Sequence, residues 1–131
     1  RLLLDTHVLV RWLAEPRRLS REQARLLEAA VRRREPVAIS AITLLELALL
    51  CSEGVLRSKL SLDQLFSQIQ ADPAFEVLPL TFDVAHEAAQ LGPLLRDPAD
   101  RVIVATARTS GLRLLTSDQR IVDSRLVSTV D

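Results

Sequence analysis

The stretch Leu2-Leu3-Leu4-Asp5-Thr6-His7 opens the chain and decides the fold. Three consecutive leucines predict a short strand buried on both faces, the pattern of a central strand in a parallel sheet. A carboxylate, Asp5, follows this strand directly. Because open α/β sheets bind their ligands beyond the carboxyl ends of the strands, we expect Asp5 at a functional site.

The composition is typical of one soluble globular domain spanning residues 1–131. Hydrophobic residues make up 48% of the 131 positions and charged residues 26%, which argues against a disordered chain. The 17 basic and 17 acidic residues give a net charge of +0. This balance argues against a protein that coats nucleic acid through overall charge, but it permits a local basic rim. No apolar run reaches the length of a membrane span and no signal peptide is recognisable, so we expect a cytoplasmic protein without a membrane partner.

The order of the predicted elements indicates the α/β class, with a small parallel sheet between helical layers. Strands are predicted at residues 2–4, 37–39, 75–78, 112–115 and 126–127, and helices at 8–13, 20–34, 42–51, 61–70, 81–91 and 99–109. Helix starts are marked by Ser20 and Ser61, each with a glutamine three positions later, and by Asp97 before Pro98.

The predicted helix 42–51 is apolar on all sides except at Thr43 and Glu46. A helix of this composition is expected to be buried, and Glu46 with it unless that side chain faces a cleft. An unpaired buried carboxylate is costly, so Glu46 needs either a functional partner or a salt bridge to an arginine.

Carboxylates from distant segments are predicted to converge at one edge of the sheet. Asp5 and Asp118 follow strands, Glu46 lies one turn into the helix after the second strand, and Asp100 lies in the first turn of helix 99–109. Two like charges about 5 Å apart repel by about 3 kcal/mol at an effective dielectric near ~20, so such a cluster needs protons or cations. Oxygen ligands without a cysteine or histidine cluster select Mg²⁺ or Mn²⁺. Ions held in this way favour hydrolysis of a phosphodiester.

Each of these acids also has a structural interpretation. Asp5 and Asp97 are good helix N-caps, and Asp118 fits a cap or a turn. Asp100 is favoured by the helix dipole at its position near a helix start. His7 is expected to pack against or support the site rather than to bind a metal.

Four motifs carry a resemblance over essentially the whole chain. They are LLLDTHVLVRWL at 2–13, ITLLELAL at 42–49, RDPADRVIVATA at 96–107 and LRLLTSD at 112–118. Their order and spacing resemble PIN-domain ribonucleases of the VapC toxin type. The resemblance implies a three-layer α/β/α PIN-like fold.

The resemblance also implies an activity and a set of partners. Asp5, Glu46, Asp100 and Asp118 would be the acidic quartet that holds Mg²⁺ or Mn²⁺ in a metal-dependent endoribonuclease. Such a toxin cuts RNA, usually as a homodimer, and is held inactive by an antitoxin encoded beside it. It reaches operator DNA only through that antitoxin. An antitoxin segment is expected in an apolar groove between helices 8–13 and 44–50, where it could place an arginine in the acidic site.

Further positions match or depart from the family pattern. Thr6 and Ser117 match positions where a small hydroxyl or amide residue often lies near the metal, and Asp97 is a further candidate for support of the metal. Many relatives have a tryptophan where this chain has Leu45. Many also have a histidine before the RDP motif and a phenylalanine inside it, where this chain has Leu95 and Ala99. These departures concern packing and substrate preference rather than the acids.

The arginines next to the motifs are candidates for contact with RNA phosphates. They are Arg11, Arg96, Arg101 and Arg120. Salt bridges with the neighbouring acids are an equally good interpretation of them.

Other functions were weighed against this one. A phosphatase of the haloacid dehalogenase type needs a second aspartate where this chain has His7. A dinucleotide-binding domain needs a glycine-rich turn after the first strand, whereas the chain has 3 glycines and none there. An inactive PIN-like binding module would have no reason to keep Glu46 in an apolar helix. A PIN nuclease of RNA processing or DNA metabolism stays open, although the short chain favours the toxin.

Overall fold

A parallel sheet forms the centre of the fold. The computed structural model describes residues 1–54 and 60–131, and within them the sheet has five strands in the order β3-β2-β1-β4-β5. The strands are β1 (Leu2–Leu4), β2 (Val37–Ser40), β3 (Phe75–Leu78), β4 (Arg113–Leu115) and β5 (Thr129–Val130). All neighbouring strands are parallel. The prediction of β1 as a central strand is confirmed.

Helices cover both faces of this sheet. They are α1 (Thr6–Ala14), α2 (Arg21–Arg32), α3 (Ala41–Ser52), α4 (Leu62–Ala71), α5 (Phe82–Gln90), α6 (Pro98–Ser110) and α7 (Gln119–Ser124), with a 3-10 turn at Pro16–Arg18. Leu3 and Leu4 are both 0% exposed, yet they belong to different hydrophobic clusters. Because successive side chains of a strand point to opposite faces, one core lies on each side of the sheet. The predicted three-layer α/β/α fold is confirmed.

The predicted helix starts are confirmed by their hydrogen bonds. Ser20 and Ser61 form capping boxes with the glutamines three residues later. Asp97 caps α6 by accepting the backbone N–H of Asp100, and Pro98 is its first residue. Gly111 ends α6 in the left-handed conformation with φ +64, as glycine allows without strain.

The last strand differs from the prediction. Leu126 and Val127 were expected to form it, but they pack against the core as partly buried side chains, and the strand lies at Thr129–Val130. The register explains the difference, because β4 pairs through Leu114 with Thr129. Helix α7 was not predicted, because its sequence QRIVDS is too short for a recognisable helical period.

Helix α3 is not buried on all sides, and that prediction is wrong. Leu47 is 0% exposed, whereas Leu45 and Leu49 are 53% and 48% exposed. The two exposed leucines are four residues apart and therefore lie on the same face of the helix. Within the described ranges, no helix combines the length and the apolar character needed to span a membrane.

Candidate active site

Asp5 is the most enclosed acid at the carboxyl edge of the sheet. It follows β1, caps α1 and is 4% exposed. Its Oδ1 accepts the backbone N–H of Thr6 at 2.8 Å, and its Oδ2 accepts the hydroxyl of Thr116 at 2.7 Å. The capping role and a role in a site are therefore compatible, because the same hydrogen bonds that cap the helix also fix the orientation of the carboxylate.

Thr116 joins the ends of two neighbouring strands. Its side chain is fully buried; it donates to Asp5 and accepts the backbone N–H of Asp118 at 3.1 Å. Thr116 was expected only to mark a turn and was not predicted as a residue of the site. Its position between an apolar strand and an aspartate, in the run LLTSD, was the available signal.

Glu46 is held by a chain of hydroxyl groups. Its Oε1 accepts the hydroxyl of Thr6 at 2.5 Å, and the Thr6 and Thr43 hydroxyl oxygens are 3.0 Å apart. Because a threonine hydroxyl has one proton, Thr6 donates to Glu46 and Thr43 donates to Thr6. Thr43, which is 0% exposed, was also missed as a supporting residue.

The charge of Glu46 is not balanced by an arginine. No ion pair in the described part of the chain involves it, so the predicted salt-bridge alternative is not observed. Burial raises the pKa of Glu46, the hydrogen bond from Thr6 opposes this, and the charges of Asp5 and Asp97 raise it further.

The pKa of Asp100 shows that the acids lie near one another. Burial is the main cause that raises its pKa to about 7, and the charges of Asp97, Asp5, Asp118 and Glu46 each add to the effect. The structure therefore brings the four predicted acids and Asp97 close enough together for their charges to affect one another. The Oδ1 of Asp97 accepts a hydrogen bond from the backbone N–H of Asp100 at 3.0 Å.

Asp118 differs from the other acids because it forms a salt bridge with an arginine, Arg120. It caps α7, and its Oδ2 lies 3.0 Å from Nη2 of Arg120, while Oδ1 lies 3.3 Å from Nε. This contact with Arg120 is the main cause that lowers the pKa of Asp118. The salt-bridge interpretation of Arg120 is the one observed.

His7 supports the site in the manner expected. Its Nε2 accepts the backbone N–H of Ser117 at 2.9 Å, which leaves the proton of the neutral ring on Nδ1, 3.4 Å from Asp5 Oδ2. Burial lowers the pKa of His7, and the charge of Asp5 opposes that shift.

The family model for the PIN domain matches residues 2–124. The chain belongs to the PIN-domain family. Ribonuclease VapC22 of Mycobacterium tuberculosis is 37% identical over 125 residues, which cover 95% of this chain and 92% of the relative. This agrees with the resemblance that the four sequence motifs indicated.

Solved structures support the same assignment. FitAcB from Neisseria gonorrhoeae superposes with a TM-score of 0.73 at 26% identity, covering 100% of this chain and 97% of the other. VapBC2 from Rickettsia felis, bound to a DNA fragment from its promoter, has a TM-score of 0.72 at 18% identity over 98% and 96% of the two chains. A toxin–antitoxin complex from Klebsiella pneumoniae has a TM-score of 0.68 at 23% identity over 100% and 97%. The last two show the fold alone.

The remaining arginine candidates of this PIN domain have different surroundings. Arg11 donates to the hydroxyl of Ser117 at 3.3 Å, and Arg96 is exposed in a cleft beside Asp97 and Asp100. Arg101 instead holds the connection between α5 and α6. Its guanidinium donates to the backbone carbonyls of Ala88, Ala89, Gly92 and Leu95. We therefore assign Arg101 a structural role, which was not anticipated.

The acids of the PIN domain fit a hard divalent cation by chemistry. The donor set consists of carboxylate oxygens, and their mutual repulsion adds to the effect of burial in raising the pKa of Asp100; a cation would relieve that repulsion. In residues 1–54 and 60–131, no group of three or more histidine, cysteine, aspartate or glutamate side chains is arranged to hold a metal ion as it stands.

Proposed function

We propose that this PIN domain is a Mg²⁺- or Mn²⁺-dependent endoribonuclease that hydrolyses RNA phosphodiester bonds as the toxin of a toxin–antitoxin pair in the cytoplasm. The observation that carries the proposal is the convergence of the acids on Asp100, whose pKa is raised first by burial and then by the charges of Asp97, Asp5, Asp118 and Glu46. The relative Ribonuclease VapC22, which is 37% identical, supports the activity and the assignment to the VapC type of toxin.

The metal ligands in this proposal are Asp5, Glu46, Asp100 and Asp118. A bound ion would supply an activated water and stabilise the negative charge that develops on the phosphate. The threonines orient the ligands: Thr116 fixes Oδ2 of Asp5, and Thr6 fixes Oε1 of Glu46.

Supporting residues surround the ligands at short range. Asp97 fixes the first turn of α6, and Ser117 places its backbone N–H on His7. Arg11, Arg96 and Arg120 line the clefts beside the acids and are the candidates for contact with RNA phosphates.

Cleavage of a mixed RNA pool tests the activity. Wild type and Asp5→Asn would be compared in Mg²⁺, in Mn²⁺ and in EDTA, with antitoxin-free protein. The matched control is Asp83→Asn, because Asp83 is an exposed aspartate in the first turn of α5. We expect cleavage by wild type and Asp83→Asn only with metal, and none by Asp5→Asn.

Three other results would contradict the proposal. Cleavage that persists in EDTA would exclude the metal mechanism. Cleavage of DNA but not RNA would favour a nuclease of DNA metabolism. A folded wild type that cuts neither and binds no metal would favour the inactive binding module.

The proposed antitoxin has an apolar surface available on α3. Val8 and Leu9 of α1 are 0% exposed, so they do not line the predicted groove. The exposed Leu45 and Leu49 flank Glu46, and we propose that an antitoxin segment covers them. Co-expression with the small protein encoded beside this chain should give a stable complex that Leu45→Ser with Leu49→Ser weakens. Binding that the double variant leaves unchanged would remove α3 from the interface.

The assembly is a further part of the proposal. We propose a homodimer that reaches operator DNA only when the antitoxin is bound. Light scattering of the toxin alone should give twice the mass of the chain, and DNA shift assays should require the antitoxin. A monomer at all concentrations, or DNA binding by the toxin alone, would contradict this part.

A further inference from the structure

Arg120 engages both oxygens of one proposed metal ligand. Its Nη2 lies 3.0 Å from Oδ2 of Asp118, and its Nε lies 3.3 Å from Oδ1. The same Nη2 lies 4.0 Å from Oδ2 of Asp100. The guanidinium therefore stands between two of the four acids as their positively charged neighbour.

A divalent cation and this guanidinium need the same oxygens. The two-pronged contact with Arg120 uses one lone pair on each oxygen of Asp118 and places a positive charge beside the lone pairs that a metal ion would need. A divalent cation bound by Asp118 would be repelled by this guanidinium, and withdrawal of Arg120 would remove that repulsion.

The surroundings of Arg120 allow such a withdrawal. Its side chain is 75% exposed, and exposed ion pairs are weak. It lines two clefts, one with Arg96 and Asp97 and the other with His7 and Arg11. Both clefts are also lined by acids of the site, so the guanidinium stays near the acids in either one.

The chemistry of the released group then favours a phosphate. Arginine binds phosphate through two parallel hydrogen bonds, the geometry that it uses on Asp118 in this structure. Arg11, whose guanidinium contacts the Ser117 hydroxyl rather than a carboxylate, lies in the same cleft. A phosphate placed at the acids would meet both arginines.

We infer that Arg120 changes partners during the reaction: it pairs with Asp118 as in this structure, gives way when a divalent cation binds, and then binds a phosphate of the RNA. This inference rests on the proposed function. It adds a residue that competes with the metal and afterwards contacts the substrate.

Mn²⁺ affinity without RNA tests the first half. Electron paramagnetic resonance would measure the dissociation constant of Mn²⁺ for wild type, Arg120→Ala, Arg120→Lys and Arg11→Ala. Lysine keeps the positive charge but lacks the two-pronged contact, and Arg11→Ala removes a nearby charge that holds no carboxylate. Competition predicts binding tighter than wild type by about threefold or more in both Arg120 variants, and a change of less than about twofold in Arg11→Ala.

Several results would overturn this half. If Arg120→Lys binds Mn²⁺ with the affinity of wild type while Arg120→Ala binds it more tightly, Arg120 would affect the metal only through its charge and not through its contact with Asp118. Equal or weaker binding by both variants would exclude competition while leaving the proposed metal site intact. Absence of Mn²⁺ binding by wild type and both variants would overturn the proposed function itself.

Steady-state cleavage tests the second part of the inference, the contact between Arg120 and an RNA phosphate. One labelled RNA that wild type cuts would be used at saturating Mn²⁺. We expect Arg120→Ala to raise KM by about tenfold, the lower end of the scale for one lost charged hydrogen bond, although it binds Mn²⁺ more tightly. Tighter metal binding with an unchanged KM would exclude the contact with phosphate. Circular dichroism of each variant would establish that α7 remains folded.

Discussion

Thr116 donates its hydroxyl proton to Oδ2 of Asp5 across 2.7 Å, although the two residues are 111 positions apart in the chain. The same hydroxyl oxygen accepts the backbone N–H of Asp118. One buried side chain thereby fixes the distance between the acids that end β1 and β4. The geometry of the proposed metal centre depends on this bond.

Replacement of Thr116 by valine should lower both stability and activity. Valine keeps the shape but leaves Oδ2 of Asp5 and the N–H of Asp118 without this partner. We expect the free energy of unfolding to fall by about 2 kcal/mol, because a hydrogen bond to a buried charge is lost. Urea denaturation would measure it. Thr116→Ser keeps the hydroxyl and should stay close to wild type; equal losses in both variants would show that the methyl group matters instead.

Replacement of Thr43 by valine tests the hydroxyl chain to Glu46. The variant removes the donor that fixes the Thr6 hydroxyl, so Glu46 should lose its fixed orientation. We expect kcat for RNA cleavage to fall by about fivefold, corresponding to about 1 kcal/mol. Thr43→Ser should restore it. A serine variant as slow as the valine variant would assign Thr43 to packing alone.

The raised pKa of Asp100 predicts a pH-dependent stability of the metal-free protein. A carboxyl group with a higher pKa in the folded state stabilises the fold while it is protonated, and this stabilisation is lost as the pH rises from the unfolded value of 3.8 through about 7. Asp100→Asn cannot lose a proton. It should therefore be more stable than wild type at pH 8 by about 2 kcal/mol, allowing for solvent screening, and equal to it near pH 4. Denaturation curves at both pH values, in EDTA, would measure the difference; parallel pH profiles would contradict the assignment.

Arg101 and Arg96 should behave differently although both were candidates for RNA contact. The guanidinium of Arg101 donates to backbone carbonyls at the end of α5 and in the connection to α6, whereas Arg96 is exposed. We expect Arg101→Met to lower the free energy of unfolding by about 2 kcal/mol, since the partly buried carbonyls of Ala88 and Leu95 lose a charged partner. Arg96→Ala should change stability by less than about 0.5 kcal/mol. Thermal melts would compare them, and a stable Arg101→Met would refute the structural role.

Much of this fold could be predicted because strand and helix starts depend on residues that are neighbours in the sequence. Three leucines marked β1, and the caps at Ser20, Ser61 and Asp97 marked helix starts within one residue. The topology of a parallel sheet then placed the acids on one edge, and the charges that raise the pKa of Asp100 agree with that placement.

Features that depend on distant contacts were not predictable. The hydrogen bonds of Thr116 and Thr43 join residues far apart in sequence, and no periodicity indicates them. The exposure of Leu45 on α3 depends on which neighbours cover the helix rather than on its composition. The position of the last strand was set by its pairing with β4, which outweighed the apolar pair Leu126-Val127.

Titration of the Asp100 carboxyl group by ¹³C NMR would show whether the acids at the carboxyl edge of the sheet form a metal centre. The resonance would be assigned by its absence in Asp100→Asn and followed with and without Mg²⁺. The account predicts a pKa of about 7 in the metal-free protein and a clear fall when Mg²⁺ is added, because the ion displaces the proton. A pKa near the ordinary value of 3.8 that Mg²⁺ does not move would contradict both the convergence of the acids and their role as a metal centre.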